Sequence, residues 1–298
     1  MAEWIDLLDP SGDELEAAVP PALHEGDLAQ LRAPGAAGRP GLWPHDDHLV
    51  GVLIVPVIDA ANDDVFYQEL DVVLTPETLL TVRKTTPGRP PYDSAAVRAS
   101  MRSGDTVGRY FYRLVDDVAD RYLDLVDAFE DEIGELEDGV EEWPSERVRT
   151  RVRQIREQIL HVRRMLSPLR DAVRGVADGR TDLAGEELFT RDLEQEFLGV
   201  YDTLLRAADG LELAHDLLAG ARDYYQAKVA QDQNEAVKRL TAIASLLLVP
   251  TFIVGLYGQN FVDMPEFHWG IWGYVWSWGL IVTTTLVQLW YFRRRQWF

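Results

Sequence analysis

Near the C-terminus, Gly258, Gln259, Asn260, Asp263 and Glu266 set one glycine, two amides and two carboxylates within the stretch Tyr257–Glu266. Acidic and amide groups at the end of a membrane helix are costly unless they meet water or cations. The setting makes that cost relevant: Leu240–Tyr257 before them and Ile271–Phe292 after them carry no charged residue. Both segments are long enough, or nearly so, to cross a hydrocarbon layer of about 30 Å. The same loop also reads as a hydrated turn, with Gly258 capping a helix and Asn260 in a left-handed position.

The segments that hold the loop show more than apolarity. The second carries Trp272, Tyr274, Trp276, Trp278, Trp290 and Tyr291, aromatics of the kind that settle at membrane interfaces. Lys238 and Arg239 precede the first segment and Arg293, Arg294 and Arg295 follow the second. The positive-inside tendency then puts both chain ends in the cytosol and residues 258–270 outside.

The first span continues an upstream pattern. Leu193, Phe197, Val200, Leu204, Ala207, Leu211, Ala214, Leu218, Ala221 and Tyr225 alternate steps of three and four, the seam of a coiled coil or long bundle. With no strong breaker before Leu240, one helix of roughly 60 residues, about 90 Å, is expected to end at Tyr257. Pro250 would be costly inside a soluble helix and is tolerated in a spanning one. Near this end Asn234, Val237, Thr241, Ala244, Leu248 and Thr251 share one face, with Leu240 at the level of Thr241. Taken alone, that face also suits ordinary packing in a bundle.

The rest of the chain excludes several functions. Its 298 residues hold 29 Lys+Arg against 50 Asp+Glu, a formal net charge of −21. Because residues 240–298 carry +1, the first 239 carry −22. Such a balance repels nucleic acid. The absence of cysteine excludes disulfides and thiolate sites. The N-terminus, "MAEWIDLLDP", lacks a basic region followed by an apolar core and does not read as a secretory signal.

Residues 1 to about 48 show weak periodicity, and Leu31–Pro44 reads as a loop. "HLVGVLIVPVIDA", "VFYQELDVVLT" and "TLLTVRKT" then predict a small antiparallel sheet. From Asp105 to Asp178 the spacing predicts two long antiparallel helices, the second opened by Pro144-Ser145. Pro44–His48, "PHDDH", is the one cluster in this region with metal-ligand residue types. Since adjacent side chains rarely point together, it reads as a solvated turn. His268 in the loop is a further residue able to meet metal. No nucleophile triad, phosphate loop or paired-carboxylate site is visible, so no enzyme is expected.

The string "YGQNF" followed by "MPE", directly after one apolar segment and about a dozen residues before another, resembles the CorA family of divalent-cation channels. The family has Tyr-Gly-Met-Asn-Phe and then Met-Pro-Glu at this place. The likeness extends to "PTFIVGLYG", the basic tail, the acidic-and-apolar stalk and the α/β front. It implies an α+β cytoplasmic funnel domain, a long-helix stalk and two C-terminal transmembrane helices, assembled as a homopentamer in the plasma (inner) membrane. The first spanning helix would line the pore, with Asn234 and Thr251 as polar rings, Val237, Leu240 and Leu248 as apolar constrictions, and Asp223 as an acid at the pore mouth.

In this likeness Asn260 forms the filter. Mg2+ releases its water reluctantly, so a ring of amide oxygens can hold its hydration shell, with Gly258 allowing close backbone approach. Glu266 and Asp263 would attract cations to the mouth, while Met264 and Pro265 stiffen the loop. The implied cargo is Mg2+, with Co2+ and Ni2+ beside it, and Mg2+ also serves as regulatory ion. No organic cofactor is implied. The partners are copies of the chain, membrane lipid and divalent ions.

Two departures from the family pattern bear on function. Gln259 replaces Met, an unbranched residue of nearly the same length. It either props neighbouring loops as Met does or brings a second amide to the ion. Gly199, in Leu198-Gly199-Val200-Tyr201-Asp202, stands where many relatives have an Asp of an inter-subunit regulatory metal site. A Zn2+ transporter of the ZntB branch and a non-conducting membrane-anchored scaffold or sensor are the competing readings. The expected divisions are 1–100 (α/β), 101–192 (helical) and 193–298 (stalk, spans 240–257 and 271–292, loop 258–270 and basic tail).

Overall fold

The computed structural model describes residues 2–20, 23–35, 39–59, 64–183, 187–259 and 264–297. The N-terminal part is built on strands β1 (Glu3–Leu8), β2 (Gly41–Pro44), β3 (Leu49–Asp59), β4 (Asp64–Leu74) and β5 (Thr78–Lys84), in the sheet order β1-β5-β4-β3-β2. The three apolar runs are β3, β4 and β5, antiparallel as expected. The sheet is larger than expected and mixed: β1 joins β5 in parallel and β2 joins β3. Helices α1 (Gly12–Ala18) and α2 (Glu25–Arg32) lie between β1 and β2 in the chain. Leu31–Pro44 is thus only partly loop. Short edge strands owe their pairing to the sheet they join rather than to propensity.

Every residue from Leu49 to Pro56 and from Gln68 to Leu74 is buried, so the sheet is covered on both faces. Leu15 of α1 and Leu31 of α2 pack with Val50, Val73, Leu80 and Val82. Helix α4 (Val107–Glu142) reaches the strands through Tyr122, whose buried hydroxyl donates to the Ile54 carbonyl at 2.9 Å.

Continuous burial also encloses charge. Lys84 Nζ lies 2.6 Å from Glu69 Oε1 and 2.6 Å from Asp71 Oδ2, and donates to the Gln30 carbonyl of α2 at 2.9 Å. Two carboxylates therefore share one ammonium. Burial pushes the Asp71 carboxyl up to about 7, against the opposing pull of Lys84.

After the short helix α3 (Ala95–Ala99), α4 and α5 (Ser145–Ala177) form the expected pair. Only Trp143 and Pro144 link them, and the Arg147 guanidinium lies 4.1 Å from the Trp143 ring centroid. Helix α6 (Arg191–Tyr257) runs 67 residues without a break, somewhat longer than expected. Its seam behaves as predicted from Leu193 to Ala221, each seam residue being at most 4% exposed. At Gly210 an added Cβ would meet Val126 Cγ1 at 2.5 Å, so glycine permits the close approach of α6 to α4.

The chain divides into two compact units, Met1–Arg222 and Asp223–Phe298. The second holds the rest of α6, a 3₁₀ turn at Pro265–Trp269 and α7 (Ile271–Arg294). Among the described residues, α6 is the helix long and apolar enough to cross a membrane. Helix α7 has spanning length, 24 residues.

The Asp71 carboxyl gives a pH-dependent stability. Its ordinary value is 3.8 and its folded value is about 7, so its contribution is complete below the lower value and is lost as pH rises through the higher one. Asp71→Asn lacks that loss. Its melting temperature relative to the parent should rise by roughly 3–8 °C between about pH 4 and pH 7.5. Thermal melts of the full-length protein check this, and a constant difference would mean that Asp71 is ionised throughout.

Candidate functional site

In the second unit one stripe of α6 packs within the chain, and among the described residues most of the rest of its surface is exposed. Ala242 and Ile253 are buried, and Ser245, Leu246, Val249 and Pro250 are partly so. Their three- and four-residue steps form a stripe, and Gln288 of α7 donates through Nε2 to the Ser245 carbonyl at 3.4 Å. Asn234, Val237, Leu240, Thr241, Ala244, Leu248 and Thr251 are all exposed, as is Asp223. The face anticipated as pore-lining is therefore distinct from the face packed within the chain.

Hydroxyls in these helices serve their own backbone. Thr251 Oγ1 donates to the Leu247 carbonyl at 2.6 Å, and Thr285 Oγ1 to that of Ile281 at 2.8 Å. Pro250 offers no N–H to the Leu246 carbonyl, a gap that membrane helices tolerate because neighbouring groups re-satisfy the freed carbonyl.

The helix ends by tightening. Gly258 N–H still reaches the Val254 carbonyl at 2.9 Å, and Gln259 N–H turns to that of Leu256 at 3.3 Å. Gln259 is exposed. Asn260 and Asp263 lie outside the described residues. The path is described again at Met264, and Glu266 is half-buried in the 3₁₀ turn while His268 is exposed.

Two glycines hold that turn in position. A Cβ at Gly273 would stand 2.2 Å from the Glu266 carbonyl oxygen, so only glycine lets the turn lie against α7. Gly270, which precedes α7, has φ 59° and ψ −130°, a conformation open to glycine and strained for other residues. Neither role is legible from residue types alone.

In the first unit, Asp116, Asp120 and Asp124 recur at helical spacing on α4. Burial, followed by the neighbouring carboxylates, raises Asp116 and Asp120 above the usual carboxylate range. Gly199 is exposed, and a Cβ there would meet nothing within 4 Å. The sequence reading of Pro44–His48 as a solvated turn needs correction. His48 is buried, and His45 and His48 converge with Asp27 of α2, which no local signal could reveal.

A large α+β region, a helix running from it into an apolar unit, and a short polar turn between apolar helices define a membrane protein with a substantial domain outside the bilayer. The chain belongs to the CorA family: the model of the CorA-like Mg2+ transporter protein family matches residues 2–294. This is a family of transporters, in keeping with the expectation that the chain is no enzyme.

The protein YfjQ of Bacillus subtilis is 28% identical over 302 residues, covering 99% of this chain and 89% of that one. The cobalt/magnesium transport protein CorA of Thermotoga maritima is 32% identical over 186 residues, or 62% of this chain and 51% of that protein. That alignment thus spans about half the length of the relative. Among solved structures, the CorA magnesium transporter of Methanocaldococcus jannaschii superposes with a TM-score of 0.80 at 21% identity, covering 99% of this chain and 91% of that chain. That likeness extends the α+β domain, long helix and apolar helices to a shared fold.

The close contact at Gly273 gives a test of the turn's support. Gly273→Ala should free the 3₁₀ turn and raise amide exchange at residues 265–270 by at least about tenfold. Gly279→Ala, where a Cβ meets nothing within 4 Å, should leave it unchanged. Hydrogen-exchange mass spectrometry on the detergent-solubilised protein measures both.

Proposed function

We propose that the chain is the subunit of a homopentameric channel admitting Mg2+, with Co2+ and Ni2+ as further cargo. The observation that carries this reading is the exposed stripe from Asn234 to Thr251, which runs up to Gly258 and Gln259. In one chain that stripe is exposed among the described residues. Five copies arranged about an axis would cover it and leave alternating polar and apolar rings facing a pore.

In this reading α6 and α7 both span the membrane, both chain ends are cytosolic, and residues 258–270 form the outer mouth. Asn260 holds the hydrated ion through its amide oxygen. Glu266 and Asp263 concentrate cations, and Gly258 admits the backbone to the axis. The domain divisions remain 1–100, 101–192 and 193–298. A divalent ion gains roughly 4.6 kcal/mol per 100 mV on entering a negative interior, so transport needs no nucleotide. Mg2+ also acts as regulatory ion at subunit interfaces, with Gly199 weakening one such site.

Uptake into proteoliposomes tests the reading. The parent should take up Mg2+ and Co2+ under an inside-negative potential, with no requirement for a pH gradient. Uptake of Zn2+ alone, dependent on a pH gradient, would favour the ZntB-like alternative. Asn260→Ala should reduce uptake at least about tenfold, the loss of roughly 1.4 kcal/mol or more, while the pentamer persists by native mass measurement. Gln259→Met should stay within about twofold of the parent if Gln259 acts as a spacer. A stable monomer or dimer in native lipid would overturn the channel.

A further inference from the structure

His45 and His48 flank the two-residue turn Asp46-Asp47 between β2 and β3, closed by the His45 N–H donating to the His48 carbonyl at 2.8 Å. Residues paired across the end of a hairpin project to one face. Their rings stack, with centroids 4.6 Å apart and planes 20° apart. Asp27, in the first turn of α2, approaches both: its Oδ2 is 3.3 Å from His45 Nε2 and 3.9 Å from His48 Nε2. All three atoms are buried, and none has a hydrogen-bond partner among the described residues. His48 is 1% exposed.

The opposite edge of His48 decides what these atoms can accept. His48 Nδ1 lies 2.6 Å from Asp47 Oδ1, so the carboxylate accepts the Nδ1 proton and the neutral ring carries its lone pair on Nε2. That lone pair faces Asp27 Oδ2 with no donor between them.

We infer that Asp27, His45 and His48 bind a first-row transition-metal dication of the Zn2+, Co2+ or Ni2+ type, fastening α2 to the β2–β3 hairpin. Imidazole nitrogen favours these ions, whereas Mg2+ takes oxygen. A carboxylate behind a ligating imidazole is the usual orienting partner, the position Asp47 occupies. Tetrahedral coordination with bonds of about 2.0–2.1 Å separates donors by about 3.4 Å. The Asp27–His45 pair already stands near that distance, and one donor from each residue lies within 4.8 Å of the others. His24, just before α2, has its ring centroid 5.0 Å from that of His45 and its side chain caps no backbone group. It or water supplies the fourth ligand. The site lies wholly in the first unit and does not depend on conduction.

The test is a titration of purified full-length protein with Co2+ and Zn2+ in excess Mg2+, which fills oxygen-ligand sites. Visible absorption of Co2+ and competition with a chromophoric chelator report binding. One ion per chain should bind despite the Mg2+, and Zn2+ should raise the melting temperature. Asp27→Asn and His45→Gln, both at partly exposed positions, should weaken binding at least about tenfold while keeping the metal-free melting temperature close to that of the parent. Asn260→Ala should bind as the parent does, which separates this site from the pathway. Displacement by Mg2+, absence of binding, or parental affinity in both site variants would overturn the inference.

Discussion

In lipid, backbone N–H and C=O groups must find partners within the protein, and an unbroken helix is one of the few ways to do so. Helix α6, long and apolar enough for that solution, keeps a single hydrogen-bond ladder from the first unit into the second. Its side chains, rather than its backbone, change task. From Leu193 to Ala221 a narrow seam is buried within the first unit, and from Asn234 onward many apolar side chains, among them Val237, Leu240, Leu247 and Leu248, are exposed while Ala242 and Ile253 stay buried. The charged residues follow the same division, the last before the loop being Lys238 and Arg239.

The two proposed sites differ in donor type. In the proposed channel reading, the loop's amide and carboxylate oxygens suit an ion that keeps its water, with His268 the one imidazole in the loop. In the first unit, nitrogen donors from a hairpin meet a carboxylate from a helix, a combination suited to an ion bound directly. The strongly acidic composition of residues 1–239 raises the local concentration of either ion without distinguishing them. Discrimination rests on the donors.

Long periodic signals make much of the fold legible in the sequence. The α6 seam and the central strands each repeat a local pattern several times. The N-terminal elements do not: β1 is held by Trp4 donating to Thr81, and by Asp6 accepting from Thr81, Arg83 and Ser94. Those partners are distant in the chain. The loop's residue types are plain in the sequence, whereas the support of the turn by Gly273 depends on one close approach. Likewise His45 and His48 can be paired on paper once a hairpin is assumed, but Asp27 arrives from another element. Reading Pro44–His48 as adjacent side chains hides that the two histidines are the ends of a turn.

The pairing of β1 with β5 has a consequence for the order of assembly. It joins Glu3 to Thr78, whereas β3, β4 and β5 pair with near neighbours and α4 and α5 are linked by two residues. Closing a long segment costs entropy before any contact offsets it, and local contacts form faster than distant ones. The central meander and the helical pair therefore provide the template onto which β1 docks as an edge strand. On unfolding the sequence runs the other way: that edge, with few local contacts of its own, is the natural place for the sheet to open first.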